Sequence, residues 1–381
     1  MDTTPLHIEL VTETYPPDVN GVALTVQSLE QGLRRLGHEV GLVRPEREHD
    51  GPRPEPGLML VEGAPIPRYP GLRFGLPAGR RLAARWKAQR PDAVYIATEG
   101  PLGWSALRTC RQLGIPVATG FHTRFDDYVG RYGAGFLSPW VFAWLRRFHN
   151  RADATLVPTR ELQEQLAQQG FQRPVRLGRA VDTRAFHPDW RDDALRASWG
   201  ATDGAPVLVH VGRIAPEKNL PLAVRAYREL QKHRPDARFV WVGDGPARAQ
   251  LQADNPDFLF AGIRRGDELA RHFASADLFC FPSLSETFGN VTLEAMASGL
   301  ATVAFDYGAA REHLCHGLHG AAVDFGDEAG FVQALVATAP GDGLRHQGAA
   351  ARLAVQDLHP EQVAADFAAL LAGLGRRAEA A

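Results

Sequence analysis

Residues 285–299, SETFGNVTLEAMASG, bring two carboxylates together with a helix start. They follow the strand-like run ADLFCFPS, so a buried strand delivers a turn and then a helix. Glu286 lies in the turn and Glu294 on the helix, about 2.2 helical turns apart in sequence. With the helix starting near Asn290, the two carboxylates are expected at different depths of one cleft, which suits a long polar ligand. The first N–H groups of a helix lack intrahelical acceptors, so the amides of Phe288, Gly289, Asn290 and Val291 can hold phosphate or sugar oxygens. Asn290 is the expected N-cap. A capped helix carrying two surface carboxylates is the plainer reading. A second cluster, GRIAPEKN, places Arg213 and Lys218 after the strand-like PVLVHVG. Two cations there can hold a diphosphate and stabilise charge growing on a leaving phosphate; ordinary polarity at a helix start is the alternative. Lys218 is one of three lysines, with Lys87 and Lys232, in a chain that otherwise uses arginine.

These groups need strands that end at them. Runs such as HIELVTET, HEVGLVRP, DAVYIAT and IPVATG in the first half, and PVLVHVG, ARFVWVG, FLFAG, ADLFCFPS and ATVAFD in the second, alternate with helical periodicity. The pattern predicts an α/β protein with a doubly wound parallel sheet in each half. From ATVAFD to about Leu374 further helices are expected. A chain of 381 residues exceeds one ordinary core, and two domains of about 180 residues are expected. The first is read as 1–185 and the second as 204–358. The segment from AVDTRAFHPDW, with its Pro188, to about Asp203 is the expected hinge.

The first half carries its own candidates. In VNGV, Asn20-Gly21 permits positive φ and close backbone approach to a phosphate, or serves only as a tight turn. His122 ends a strand, where ligands collect in open α/β sheets; a hydrogen-bonded structural histidine is the alternative. Asp126-Asp127 are adjacent, not the spaced pair usual for a divalent metal on a diphosphate, and no catalytic metal is expected. His313, His316 and His319, near Glu312 and Cys315, match no standard zinc spacing. VGDGP is a tight turn without a full dinucleotide fingerprint. A basic stretch holds Arg73, Arg80, Arg81, Arg85, Lys87 and Arg90 beside Tyr69, Leu72, Phe74 and Trp86, and reads as a solvated face or a contact with anionic lipid. Trp140, Phe142, Trp144, Leu145 and Phe148 mark a helix apolar on more than one side, most simply core packing, with an acceptor or membrane surface as the alternative.

Composition excludes several classes. Net charge is −2, with 24 Lys and Arg against 20 Asp and Glu in residues 1–190 and 18 against 24 in 191–381. This is too mild for a nucleic-acid partner. Cys110, Cys280 and Cys315 are odd in number and widely spaced, which argues against a disulfide framework. With no signal-like start and no apolar run of about 18 residues, a cytoplasmic protein is expected.

Taken together, VNGV, His122, GRIAPEKN, VGDGP and SETFGNVTLEAMASG resemble a retaining glycosyltransferase of family 4, and the resemblance spans the chain. It implies the GT-B fold, two Rossmann-like domains facing a cleft, with the last segment, 359–381, crossing back to the first domain. NGVALTV, ATEGPLGWSAL and LFCFPSLSETFGNVTLEAMASGL look most like GDP-mannose-dependent α-mannosyltransferases; related members move sugars from UDP donors to diacylglycerol. The resemblance implies that Arg213 and Lys218 bind the donor diphosphate, with the Gly21 amide approaching from the other domain. Glu286 would bind donor-sugar hydroxyls with the Phe288, Gly289 and Asn290 backbone, and Val291 would lie beside them. Glu294 would bind the ribose, Gly262, Ile263 and Arg264 would border the base, and His122 would sit near the transferred sugar. No cofactor is implied: the partners are a sugar nucleotide and a lipid or glycan acceptor, and the basic stretch, where it is not a solvated face, would add peripheral contact at the inner face of an anionic membrane. Ala180 departs from the family, which often has Gly before Val-Asp. A sugar-nucleotide epimerase of the same architecture and a non-enzymatic two-domain binding protein are the competing readings.

Overall fold

The structure, a computed structural model, describes residues 4–379 except 19–20, 48–49, 51–55, 66–72, 123–137, 202–203, 287 and 340–342. Val19 and Asn20 of the first turn, Tyr69 and Leu72 of the basic stretch, and Asp126 and Asp127 lie outside the described residues. The chain forms two compact units, Met1–Arg179 with Pro360–Ala381, and Ala180–His359.

In the first unit the strands are β1 (His7–Val11), β2 (Glu39–Pro45), β3 (Leu58–Val61), the short β4 (Gly63–Pro65) and β5 (Arg73–Gly75), β6 (Ala93–Ile96), β7 (Val117–Gly120), β8 (Ala154–Val157) and β9 (Pro174–Arg176). Among the described residues, seven make a parallel sheet of order β3-β2-β1-β6-β7-β8-β9, while β4 and β5 pair antiparallel on their own. The order reverses between β1 and β6. The helices are α1 (Gly21–Arg35), α2 (Gly79–Ala88), α3 (Pro101–Leu113), α4 (Ser138–His149) and α5 (Arg160–Gln168). Parallel strands covered on both faces need continuous apolar runs, and β6, AVYI, is buried throughout. The chain's last helix, Pro360–Glu379, belongs to this unit. A Cβ on Gly32 of α1 would lie 2.5 Å from that of Ala364, so the two helices cross at a glycine contact, and Phe367 stacks edge-on to Tyr95 at 5.0 Å.

The second unit repeats the scheme with β10 (Val207–Val211), β11 (Arg238–Val242), β12 (Leu259–Gly262), β13 (Leu278–Phe281), β14 (Ala301–Phe305) and β15 (Gly320–Val323), ordered β12-β11-β10-β13-β14-β15 and all parallel. Its helices include α6 (Asp193–Ser198), α7 (Leu220–His233), α8 (Arg248–Asp254), α9 (Gly266–Ala274) and α10 (Asn290–Ala297). The order reverses between β10 and β13. One side of the sheet packs Leu208, Trp241, Phe239, Tyr227 and Phe258 into a single aromatic core, and the other packs Val209, Val240, Phe273 and Phe279. Strand β15 runs through a stretch whose pattern predicts helices.

The segment expected as a hinge folds into the second unit, and the division falls at Arg179/Ala180, not near 185. Pro188–Trp190 form a 3-10 turn and α6 follows, capped by Asp192. Arg196, with 9% of its side chain exposed, donates to the Ser275 carbonyl at 2.7 Å, to Asp277 at 2.9 Å and to the Ala205 carbonyl at 2.9 Å. Arg191 takes the other Asp277 oxygen at 2.9 Å, and the Val207 amide also donates to Asp277 at 2.9 Å. One carboxylate thus fastens the segment to the first residue of β10. No described helix is long and apolar enough to cross a membrane.

Removing that carboxylate leaves Arg196 buried without its counter-charge. Asp277→Ala is expected to lower stability by about 3 kcal/mol, read as a lower denaturant midpoint at unchanged slope; a loss below about 1 kcal/mol would refute the clamp.

Candidate functional site

Strands β10 and β13 flank the reversal of strand order in the second unit, the place where open α/β sheets leave a crevice at their carboxyl ends. The loop after β10 carries Arg213, then a 3-10 turn, Pro216–Lys218, closed by Asn219 at φ 52°. The loop after β13 carries Ser283 and Glu286. The structure brings Lys218 and Glu286 together: the ammonium donates to Glu286 Oε1, and Ser283 Oγ donates to the same oxygen at 2.8 Å. Tyr307 fixes Ser283 by donating to its carbonyl at 2.9 Å, and the Leu284 amide donates to the Glu217 carbonyl at 3.1 Å, joining the two loops by backbone. The Lys218 ammonium also lies 5.5 Å from the centre of the Phe281 ring. Both charged side chains are mostly covered, at 15% and 17% exposure.

Arg213 stands apart from this pair. Its side chain is 54% exposed and forks onto Glu217, with Nε at 3.0 Å. Beneath the loop, His210 of β10 is fully buried between Trp241 and Phe281, with Nδ1 3.3 Å from the Cys280 carbonyl and Nε2 without a partner. Desolvation, with the Lys218 charge adding to it, pushes its pKa down to about 3, so it stays neutral.

The turn into α10 corrects the expected cap. Gly289, at φ 91°, holds the cap position and Asn290 is the first helical residue, its Oδ1 buried without a partner. A left-handed backbone there favours glycine. Phe288 is buried, and its carbonyl accepts from the Ala309 amide at 2.7 Å. A Cβ on Gly289 would stand 3.5 Å from Glu286 Cγ, so the turn lies against the carboxylate. Val291 and Glu294 follow within α10, and desolvation raises the Glu294 carboxyl to about 7.

Gly262 ends β12 at φ 73°, followed by Ile263 with 59% exposure and exposed Arg264. The glycines of VGDGP have a structural cause: a Cβ on Gly243 would fall 1.9 Å from the Gly212 carbonyl oxygen. In the histidine-rich run, His319 Nδ1 lies 3.1 Å from the Cys315 amide, and among the described residues no three metal-binding groups converge.

In the first unit, Gly21 opens α1 and His122 follows β7. His122 is partly buried, and its two ring nitrogens are both engaged, Nδ1 with Arg179 Nη2 at 2.7 Å and Nε2 with the Tyr95 hydroxyl at 2.5 Å. Arg179 Nη1 donates to Thr25 Oγ1 at 2.6 Å, and Thr25 donates to the Gly21 carbonyl at 2.7 Å. Gly21 and His122 are therefore linked through a guanidinium that the sequence reading did not single out, nor did it single out Tyr95, Glu217, Ser283 or His210. In the basic stretch, Trp86 is buried and Arg85 pairs with buried Glu9 at 2.8 Å, so core packing accounts for both.

Residues 19–185 match the model described as Glycosyltransferase Family 4, and residues 205–339 the one described as Glycosyl transferases group 1. The chain is 38% identical over 317 residues to a GDP-mannose-dependent alpha-mannosyltransferase of Mycolicibacterium smegmatis, covering 81% of each chain. It is 32% identical over 310 residues to a sulfoquinovosyl transferase of Arabidopsis thaliana, covering 79% of this chain and 59% of that one. The solved structure of a sucrose-phosphate synthase from Thermosynechococcus elongatus superposes with a TM-score of 0.74 at 18% identity, over 97% of this chain and 99% of that one. Two parallel-sheet units of this kind define the GT-B class of glycosyltransferase architecture. The chain belongs to glycosyltransferase family 4 and is a hexosyltransferase.

Burial raises the Glu294 carboxyl to about 7, so in the ribose-binding role that the family resemblance implies, its accepting carboxylate would be lost as pH falls. Nucleotide binding measured by calorimetry is expected to weaken severalfold from pH 8 to pH 6, and Glu294→Gln to bind weakly with a flat profile; an equally steep profile in the variant would remove Glu294 from this role.

Proposed function

We propose that this chain transfers mannose from GDP-mannose to a hydroxyl of a lipid or glycan acceptor, with retention at the anomeric carbon and without an essential metal. The observation that carries this reading is the Lys218–Glu286 pair between the loops after β10 and β13, beside the start of α10. Lys218 is the compact charge that stabilises the departing diphosphate, and Arg213 adds a second cation once it turns from Glu217. Glu286 then accepts hydroxyls of the transferred sugar, with the Phe288, Gly289 and Asn290 backbone beside it. Glu294 holds the ribose, and Ile263 with Gly262 and Arg264 borders the base. The glycosidic C–O bond to phosphate breaks as the acceptor oxygen bonds the anomeric carbon on the same face, and the acceptor proton passes to the leaving phosphate oxygen. Orientation and electrostatic stabilisation supply the acceleration, so the transfer needs no separate protein base.

Mannose as the sugar is supported by the 38% likeness to the mannosyltransferase. A UDP-sugar donor with diacylglycerol as acceptor is the second reading, favoured by the 32% likeness to the sulfoquinovosyl transferase. Contact with an anionic membrane is supported by α4, where Trp140 and Trp144 are 77% and 41% exposed and Arg146 and Arg147 lie in the last turn.

The deciding assay is release of free nucleotide from GDP-mannose, UDP-glucose and UDP-glucuronic acid, each with and without diacylglycerol vesicles and with and without chelator. GDP release that survives the chelator supports the first reading; vesicle-dependent UDP release replaces it with the second. Lys218→Ala is expected to lower turnover by about 100-fold or more with an unchanged circular dichroism spectrum, whereas near-normal turnover would remove Lys218 from the chemistry.

A further inference from the structure

We infer that Arg179 and Tyr95 are positioning residues that hold His122 as a neutral imidazole protonated on Nε2, so that the ring takes no proton during transfer. Its bearing on transfer rests on the glycosyltransferase reading above; its protonation half rests on hydrogen-bond chemistry alone.

A guanidinium has donors and no acceptor. Arg179 Nη2, 2.7 Å from Nδ1, therefore makes that nitrogen an acceptor, and the one proton of a neutral ring must sit on Nε2. Nε2–H then donates to the Tyr95 oxygen at 2.5 Å. Tyr95 is buried, desolvation holds its hydroxyl well above the ordinary phenol range, and it keeps its own proton. Among the described residues that proton has no acceptor. The hydrogen bonds thus run in one direction, from Arg179 to His122 and from His122 to Tyr95. An imidazolium would set an Nδ1–H donor against the Arg179 donor and place two positive charges side by side.

The surroundings agree with this assignment. Among the described residues, the charged and titratable groups facing the ring are Arg179, on the loop after β9, Tyr95 on β6, and His149 on α4, which contacts Glu99 at 3.3 Å and Thr119 at 2.8 Å. Desolvation first, then the charges of Arg179 and His149, keep His122 well below the usual histidine range. Glu99, after β6, acts on Tyr95 and not directly on the ring. No carboxylate pairs with Arg179 among the described residues, and its Nε is buried without a partner. Its two occupied arms join His122 to Thr25 and so to the first residue of α1.

The test has two arms. Nitrogen-15 histidine spectra of the full chain, with the His122 signals identified by their loss in His122→Asn, should show bare Nδ1 and protonated Nε2 from pH 5 to pH 8. A proton on Nδ1, or titration of the ring within that range, would overturn the inference. This arm judges His122 even if no donor is turned over, in which case the proposed function fails separately. In the second arm, Arg179→Ala frees Nδ1 and removes the adjacent charge. Turnover at saturating donor, where weakened nucleotide binding does not show, should drop on the order of 10-fold and acquire a new acid limb in its pH profile, absent from the wild type and abolished by adding His122→Asn. A uniform loss with a wild-type profile would mark Arg179 as merely structural.

Discussion

The ion pair between Lys218 and Glu286 is the constraint on which the second unit's site depends. It joins loops that leave adjacent strands at the reversal of strand order, and it forms only if both loops have their observed shape. Each loop is shaped by something specific. Asn219 adopts φ 52° to end the turn that aims Lys218, while Tyr307 and Ser283 orient Glu286. Phe281 and His210 form an uncharged floor. A mostly covered ion pair gains little net stability, because desolvation offsets most of the Coulomb attraction. Under the proposed transfer its value is preorganisation: a positive charge would stand ready where phosphate charge develops, with its carboxylate partner already facing the turn into α10.

Much of this arrangement was legible in the sequence, and the physical reasons are particular. VLVHV and LFCF read as strands because parallel strands buried on both faces require unbroken apolar runs. The placement of Glu286 in the turn and Glu294 on the helix was readable from their spacing after a strand. Strand β15 was not: GAAV has little β-branched content, and it follows a loop rich in histidine. Its first residue is glycine because a Cβ would fall 2.1 Å from the Thr302 carbonyl oxygen, a requirement set by a strand outside its local sequence. Pro188 and its polar neighbours imitate a linker, yet the group that fastens them, Asp277, comes 81 positions after Arg196. Asn290 is a favoured cap residue by type, but the left-handed backbone one residue earlier gives that position to Gly289. Arg179 resembles the chain's many other arginines until Thr25, Tyr95 and His122 converge around it from three separate segments.

The two units share a topology but put opposite chemistry at the reversal of strand order. In the second unit a lysine and an arginine follow β10. In the first, Glu13 follows β1 and Glu99 follows β6. Glu13 accepts from the Leu102 amide at the start of α3 at 3.1 Å, and desolvation raises its carboxyl to about 7 while Glu99 adds to the shift. Above that pH two neighbouring carboxylates on that sheet repel a diphosphate, even though a helix start lies beside them. At its reversal the first unit thus presents carboxylates, and its buried guanidinium, Arg179, is engaged by His122 and Thr25, whereas the second presents Lys218 and Arg213. A doubly wound sheet supplies the same crevice twice, and only the residues at the strand ends decide which crevice takes the anionic part of a sugar nucleotide.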